Sequence, residues 1–284
     1  MAKTVVVTGA NSGIGLSTAL ELAGAGYDVV GTARSEAKAA LITGAAEERG
    51  VSVRTVQMDV ADAASTVAGF AEIDALTGGP WAVVNNAGIA QPGAITDVSD
   101  EAIRAQLEVN VVAPMRIARI VLSGMQERGG GRIVNISSVA GRVSTPMLGW
   151  YSASKFALEA ASDALRVEVA QLGIKVILVE PGTFGTNIWA ESGNALPEDT
   201  NPAYDAAYAR TRLVTRNAGR YPDPVWVART IRLALANPLP QSRYLIGADA
   251  VGSFVGERLA PTVVTDYVKQ VVTGLRRLPL PFVC

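Results

Sequence analysis

Two textures alternate along the chain. Short, nearly unbroken apolar runs rich in valine and isoleucine recur, and between them lie stretches whose apolar residues return every three or four positions. The runs TVVVTGA (4–10), YDVVGTAR (27–34), VSVRTVQMDV (51–60), WAVVNNAG (81–88), GRIVNISS (131–138) and IKVILVEPG (174–182) read as strands. Between them, helices are expected at 17–26, through Glu47 and Glu48, near 62–77, over 99–127 as one or two segments, and over 151–172. A strand that is apolar at nearly every position is covered on both faces, and its alternation with helices predicts a parallel sheet. The expected fold class is α/β: a doubly wound parallel sheet with helices on both faces, in a single domain.

Residues 183–222 break this rhythm. They hold glycines, prolines and the aromatics Trp189, Tyr204, Tyr208 and Tyr221 with weak periodicity, which reads as a long functional connection, a lid or binding loop. A helix near 223–236, a short strand at 243–247 (RYLIG) and a helical tail ending in LRRLPLPFVC follow. The expected organisation is a dinucleotide-binding catalytic domain over 1–250, including a substrate loop at 187–222, and a C-terminal helical extension over 251–284.

Composition narrows the chemistry. A net charge of −1 over 284 residues offers no basic stripe for nucleic acid. No run of 18 apolar residues predicts a membrane span, and MAKTVVVTGAN lacks the apolar core and cleavage site of a signal peptide. The single cysteine, Cys284, allows no internal disulfide, so a reducing, cytoplasmic setting is expected. The chain has no histidine. That removes Ser-His-Asp triads, Cys-His pairs and histidine metal ligands, and no metal is expected. Acid–base work falls to Tyr, Lys, Asp, Glu or Cys.

The first strand runs into TGANSGIG (8–15), where Gly9 suits a tight turn and Gly13 and Gly15 suit close backbone approach at a helix N-terminus. Such an end attracts a pyrophosphate, so Gly9, Asn11, Ser12, Gly13, Ile14 and Gly15 are candidate dinucleotide contacts in a Rossmann-like fold; a glycine-rich turn that merely packs closely is the plainer alternative. The second strand closes as GTARS, with Ala33 where an NAD-binding carboxylate would stand. Arg34 beside it favours a 2′-phosphate and hence NADP, with Thr32 and Ser35 as further donors, unless Arg34 is only a solvated residue opening a helix. Asp59 and Val60 close the third strand where an adenine would lie, although Asp59 could equally be a helix N-cap. NNAG (85–88) reads as a ligand-bridging strand terminus through Asn86, Ala87 and Gly88, or as a simple turn.

TGANSGIG, NNAG, Asn110, ISS, YSASK (151–155) and PGTFGT (181–186), in this order, resemble the short-chain dehydrogenase/reductase family, strongly over about residues 3–190. The spacing of Ser138, Tyr151 and Lys155 matches the family's catalytic spacing. The resemblance implies that Tyr151 is the general acid/base and Ser138 orients the substrate oxygen. It implies too that Lys155 stabilises the phenolate and holds the nicotinamide ribose, and that Asn110 holds a water relaying protons toward Lys155. In PGTFGT, Pro181, Gly182, Thr183 and Thr186 would bind the nicotinamide carboxamide. A tyrosine needs such help because its free pKa is about 10.

Ser152 and Lys155 also spell the S-x-x-K of one hydrolase class, but its S-D-N and K-T-G partners are missing. The reading that follows is an NADP(H)-dependent oxidoreductase interconverting a carbonyl and an alcohol. Two alternatives are a dinucleotide-binding regulatory protein of the same fold, and a lyase or epimerase, for which the chain after Pro181 is short. Trp189, Leu196, Tyr204, Tyr208 and Leu213 suggest an apolar small-molecule substrate. Ile117, Val121, Ala157, Ala160, Ala161 and Ala164 suggest helix faces left over for a homodimer or homotetramer.

Overall fold

In a computed structural model that describes residues 2–216 and 221–276, seven parallel strands form one sheet in the order β3-β2-β1-β4-β5-β6-β7. They are β1 (Thr4–Val7), β2 (Asp28–Ala33), β3 (Arg54–Gln57), β4 (Ala82–Asn85), β5 (Gly131–Ile136), β6 (Ile174–Pro181) and β7 (Arg243–Ile246). The order reverses between β1 and β4, which pair with Val5 opposite Ala82. A crevice opens at the carboxyl ends of the strands at such a reversal.

The valine runs fill both faces. Val5 and Val7 join Ala82, Val84 and Val134 in a core cluster on one face, closed by α1 (Gly13–Gly24), α2 (Glu36–Glu48) and α9 (Val225–Ala236). Val6, Val83 and Ile133 point the other way, toward Phe70 and Ile73 of α3 (Ala63–Thr77) and toward α5 (Ala113–Glu127). The strict alternation of direction along each strand divides one apolar run between two cores.

Several boundaries shift from the sequence expectation. α1 starts at Gly13, so the last glycines of the loop already belong to its first turn. β3 pairs only over Arg54–Gln57, because only there does it meet β2. Asp62, not Asp59, caps α3, accepting from the Ser65 N–H at 2.7 Å, while Asp59 folds onto the Ala61 N–H at 3.0 Å. The helical stretch 99–127 resolves into α4 (Asp100–Leu107), a π-helical turn (Glu108–Val112) holding Asn110, and α5. Ile117 and Val121 lie in the core against the sheet, so they leave nothing for a partner. The outward face instead shows Val112, Phe156, Ala160, Ala164 and Val167.

The segment 183–222 is not a bare loop. It contains α7 (Asn187–Asn194), a 3₁₀ turn (Pro202–Tyr204) capped by Asn201, and α8 (Asp205–Arg216). Tyr208 is buried with Ala94, Met147 and Ala207, against Leu196 and Tyr204, and its hydroxyl donates to Asp97 Oδ2 at 2.8 Å. Three of the residues expected to meet a substrate thus build a satellite core. After β7 come α10 (Ala248–Leu259), packed on the sheet edge, and α11 (Thr262–Thr273), packed on α8 and α10. Arg210 of α8 donates to the Val271 and Val272 carbonyls at 2.6 and 2.8 Å, tying the two helices together. Cys284 lies outside the described residues. Among them, no helix is long and apolar enough to cross a membrane, and no cluster of acidic or sulfur ligands could hold a metal ion.

Candidate active site

The cleft at the strand reversal begins with a clamp on the first loop. Thr8 Oγ1 accepts from the Asn86 and Ala87 backbone N–H groups, both at 3.0 Å. Asn86 Nδ2 returns to the Thr8 and Gly9 carbonyls at 2.8 and 3.2 Å. A Cβ on Gly15 would stand 2.4 Å from both that amide nitrogen and the Gly9 carbonyl oxygen, so the third glycine makes room for the clamp. It does not line the cleft. Asn85 has a separate task, donating to Asn135 Oδ1 at 2.8 Å inside the sheet.

Gly9, Asn11, Ser12, Gly13, Ile14, Thr32, Arg34, Asp59, Val60, Asn86, Ala87, Gly88, Ser138, Tyr151, Lys155, Pro181, Gly182 and Thr186 all line this one cleft, of about 230 Å³. Ser35, Asn110 and Thr183 do not. Ser35 is the N-cap of α2, accepting from the Lys38 N–H at 3.4 Å. The Thr183 N–H is taken by Asp249 Oδ2 of α10 at 2.7 Å. Asn110 stands behind the wall, where its Nδ2 donates to the Ile89 carbonyl at 2.9 Å and to Ser154 Oγ at 3.0 Å. Its Oδ1 accepts from the Ile89 N–H at 3.0 Å.

Tyr151 and Lys155 leave the same face of α6 (Gly149–Glu168), one turn apart. Lys155 Nζ lies 5.7 Å from the centre of the Tyr151 ring and donates to the Ile136 carbonyl at 2.9 Å. Ser138 Oγ accepts from the Ala140 N–H at 3.1 Å, which fixes its turn at the end of β5. Ala90, Ala140, Leu148 and Ile188 pack around Tyr151 and keep water from it. Burial pushes the Tyr151 phenol up to about 12, while a hydrogen bond to Ser138 pulls the other way. Burial lowers the Lys155 ammonium to about 8, against the charge of Glu159. In the protein alone desolvation therefore outweighs the expected help from lysine, and Tyr151 is held as a proton donor. Ser152 is spent on packing, accepting from the Thr145 N–H at 3.4 Å.

Sequence reasoning missed several members of this site. Lys38 lines the cleft from the first turn of α2, four residues after Arg34, which follows Ala33 at the end of β2. Its charge four positions after Arg34 was the available signal. Thr8 and Asp249 act through partners 78 and 66 residues away, which no local pattern announces. Ile188 and Glu191 of α7 also line the cleft, beside Trp189, which the sequence had already placed with the substrate.

Comparison with known proteins settles the family. The family model described as short chain dehydrogenase matches residues 3–196. The chain belongs to the short-chain dehydrogenase/reductase family. It is 36% identical over 258 residues to the uncharacterized oxidoreductase YusZ of Bacillus subtilis, covering 86% of this chain and 89% of that protein. It is 34% identical over 250 residues to an NADPH-dependent 3-dehydrocapnine reductase of Ornithobacterium rhinotracheale, covering 85% and 87%. The crystal structure of a short-chain dehydrogenase from Streptomyces avermitilis superposes with a TM-score of 0.77 at 35% identity, covering 95% of this chain and 96% of that one. The fold and the oxidoreductase class of this family are those of the chain.

Proposed function

We propose that this family member is an NADP(H)-dependent oxidoreductase that interconverts a ketone or aldehyde with an alcohol, using Tyr151 as general acid/base. The observation that carries the reading is one cleft with two unlike ends. At one end Ser138, Tyr151 and Lys155 converge under an apolar cover. At the other, Arg34 and Lys38 stand without a carboxylate at position 33.

The residues present fit a nicotinamide dinucleotide. Ser12 makes no side-chain cap to α1, which leaves the N-terminus of that helix facing the cleft for a pyrophosphate. Thr32 Oγ1 is buried on the wall with no partner, the kind of orphan a ligand satisfies. Arg34 and Lys38 would hold the 2′-phosphate, Asp59 and Val60 the adenine, Lys155 the ribose hydroxyls beside the nicotinamide, and Pro181, Gly182 and Thr186 its carboxamide. When bound, the nicotinamide supplies the hydride equivalent.

The chain's own residues then handle the oxygen. Ser138 holds a substrate carbonyl by its Oγ, and Tyr151 gives its phenolic proton to that oxygen as charge develops there. Lys155, with a proton it can lose near pH 8, lies beside the phenol to replace what Tyr151 gives away. A phenol held protonated suits the reducing direction. The apolar cover of Leu148, Ile188 and Ala90 favours an apolar carbonyl of moderate size. The exposed face with Phe156 and Val167 supports assembly as a homodimer or homotetramer, which sedimentation would read directly.

Following NADPH oxidation against a panel of ketones and aldehydes tests the reading. Tyr151→Phe should bind NADPH as before and lose turnover by about three orders of magnitude or more, since only the acid–base hydroxyl is removed. Wild-type turnover in that variant would overturn the mechanism. NADPH binding with no turnover of any carbonyl would make the protein a dinucleotide-binding regulator instead.

A further inference from the structure

One turn beyond Lys155 on α6, and outside the cleft, two carboxyl groups are buried together. Glu159 is 6% exposed and Glu180, near the end of β6, is 3% exposed. Arg243 of β7 bridges them through Nε, at 3.2 Å to Glu159 Oε2 and 3.1 Å to Glu180 Oε1. Arg142 reaches Glu180 Oε1 at 3.4 Å from the turn that follows Ser138, and Arg243 also pairs with Asp163. Glu159 Oε1 is left buried with no donor. Arg166 pairs with Asp163 in turn, so three carboxyls face three guanidinium groups, and the remaining charged neighbours are Lys155 on one side and Glu257 and Arg258 of α10 across a cleft of about 540 Å³. Nothing in the proposed mechanism uses this cluster.

One proton resolves both oddities. Placed on Glu180 and donated to Glu159, it satisfies the orphaned oxygen and relieves the repulsion between the two buried carboxylates. Two buried carboxylates in contact cannot both stay ionised cheaply. We propose that Glu159 and Glu180 share a single proton and act as one positioning pair, setting the charge that faces Lys155. The pair's role in turnover rests on the reading of Lys155 given above; the shared proton itself does not. Burial and the Glu159 charge raise Glu180 to about 7. Below that value the pair carries one negative charge, above it two, and the second holds the Lys155 ammonium to higher pH. Glu159 lines the cleft opposite the substrate side, so the proton exchanges with water without crossing the substrate.

The test uses the full chain without cofactor, so it stands apart from any failure to find a substrate. The chain has five lysines, and carbon-13 labelling of their side chains lets the Lys155 titration be followed by NMR. Glu180→Gln should lower its midpoint by about half a pH unit or more, and Glu159→Gln by more again because its charge is nearer. Glu180→Asp, which keeps an ionisable partner, should restore most of the wild-type midpoint. Infrared difference spectra of the wild type should show one protonated carboxyl lost near pH 7, and the same band should be missing in Glu180→Gln. That wild-type spectrum decides the matter even if the variants fail to fold. A Lys155 midpoint unmoved in both glutamine variants, or no carboxyl titrating near neutrality, would overturn the proposal. In the active enzyme the alkaline limb of the carbonyl-reduction profile should move with the NMR midpoint.

Discussion

Lys155 offers a direct measurement of what the site costs the fold. Burial displaces its ammonium from 10.5 to about 8, which corresponds to about 3 kcal/mol at about 1.4 kcal/mol per pH unit. The native protein releases this proton near pH 8, while the unfolded chain keeps it to 10.5. Between those values the unfolded state binds more protons, so native stability rises with pH, by about 3 kcal/mol across the window. Below pH 8 both states are charged, and the native state bears the full desolvation penalty. Lys155→Met fills similar space and removes the titration. Urea unfolding of both proteins without cofactor, from about pH 7 to about pH 10.5, gives the difference in stability at each pH. That difference should swing by about 3 kcal/mol toward the wild type as pH rises, because groups other than the Glu159–Glu180 pair facing Lys155 titrate alike in both and cancel. The lost bond to the Ile136 carbonyl adds an offset of about 1–3 kcal/mol that does not vary with pH. Parallel stability curves would refute the claim that the ammonium is held against its desolvation.

Two more perturbations have outcomes the structure fixes in direction. Ala33→Asp with Arg34→Leu should turn an NADP preference of about ten- to a hundredfold into a preference for NAD, read as the ratio of kcat/KM values; an unchanged ratio would leave Arg34 as a surface residue. Arg132→Met should destabilise the fold by about 2–4 kcal/mol in urea unfolding, since Arg132 is buried and donates to the Ala234 and Asn237 carbonyls at 2.9 and 2.6 Å. A change under about half a kcal/mol would show that water replaces those bonds.

What the sequence revealed and what it hid divide along a physical line. Strands covered on both faces must be apolar throughout, so the runs around Val5, Val83 and Ile133 announced the parallel sheet. Tyr151 and Lys155 were legible because a helix puts positions four apart on one face. Helices α7 and α8 were not, because α8 meets only a small satellite core around Tyr208 and α7 sends Ile188 to the cover over Tyr151, so neither needs a long stripe. Ile117 and Val121 looked available to a partner because periodicity tells that a face is apolar, not which neighbour covers it. Thr8, Asp249 and the Glu159–Glu180 pair depend on contacts across the fold. Only the assembled sheet brings them together.

The tie between α8 and α11 also has a consequence for how the protein is made. Every strand that floors the cleft is complete by Pro181 except the edge strand β7. Helix α8, which packs on α7 of the cleft wall, is braced by carbonyls at Val271 and Val272, among the last described positions. At a synthesis rate of about 5–20 residues per second, the roughly 90 residues between Pro181 and Val272 take about 5–20 s to appear. During that interval a nascent chain has six of its seven strands but lacks the brace on α8. The order of emergence from the ribosome therefore puts the brace on α8 last, and a stop codon just before α11 would leave that helix without it.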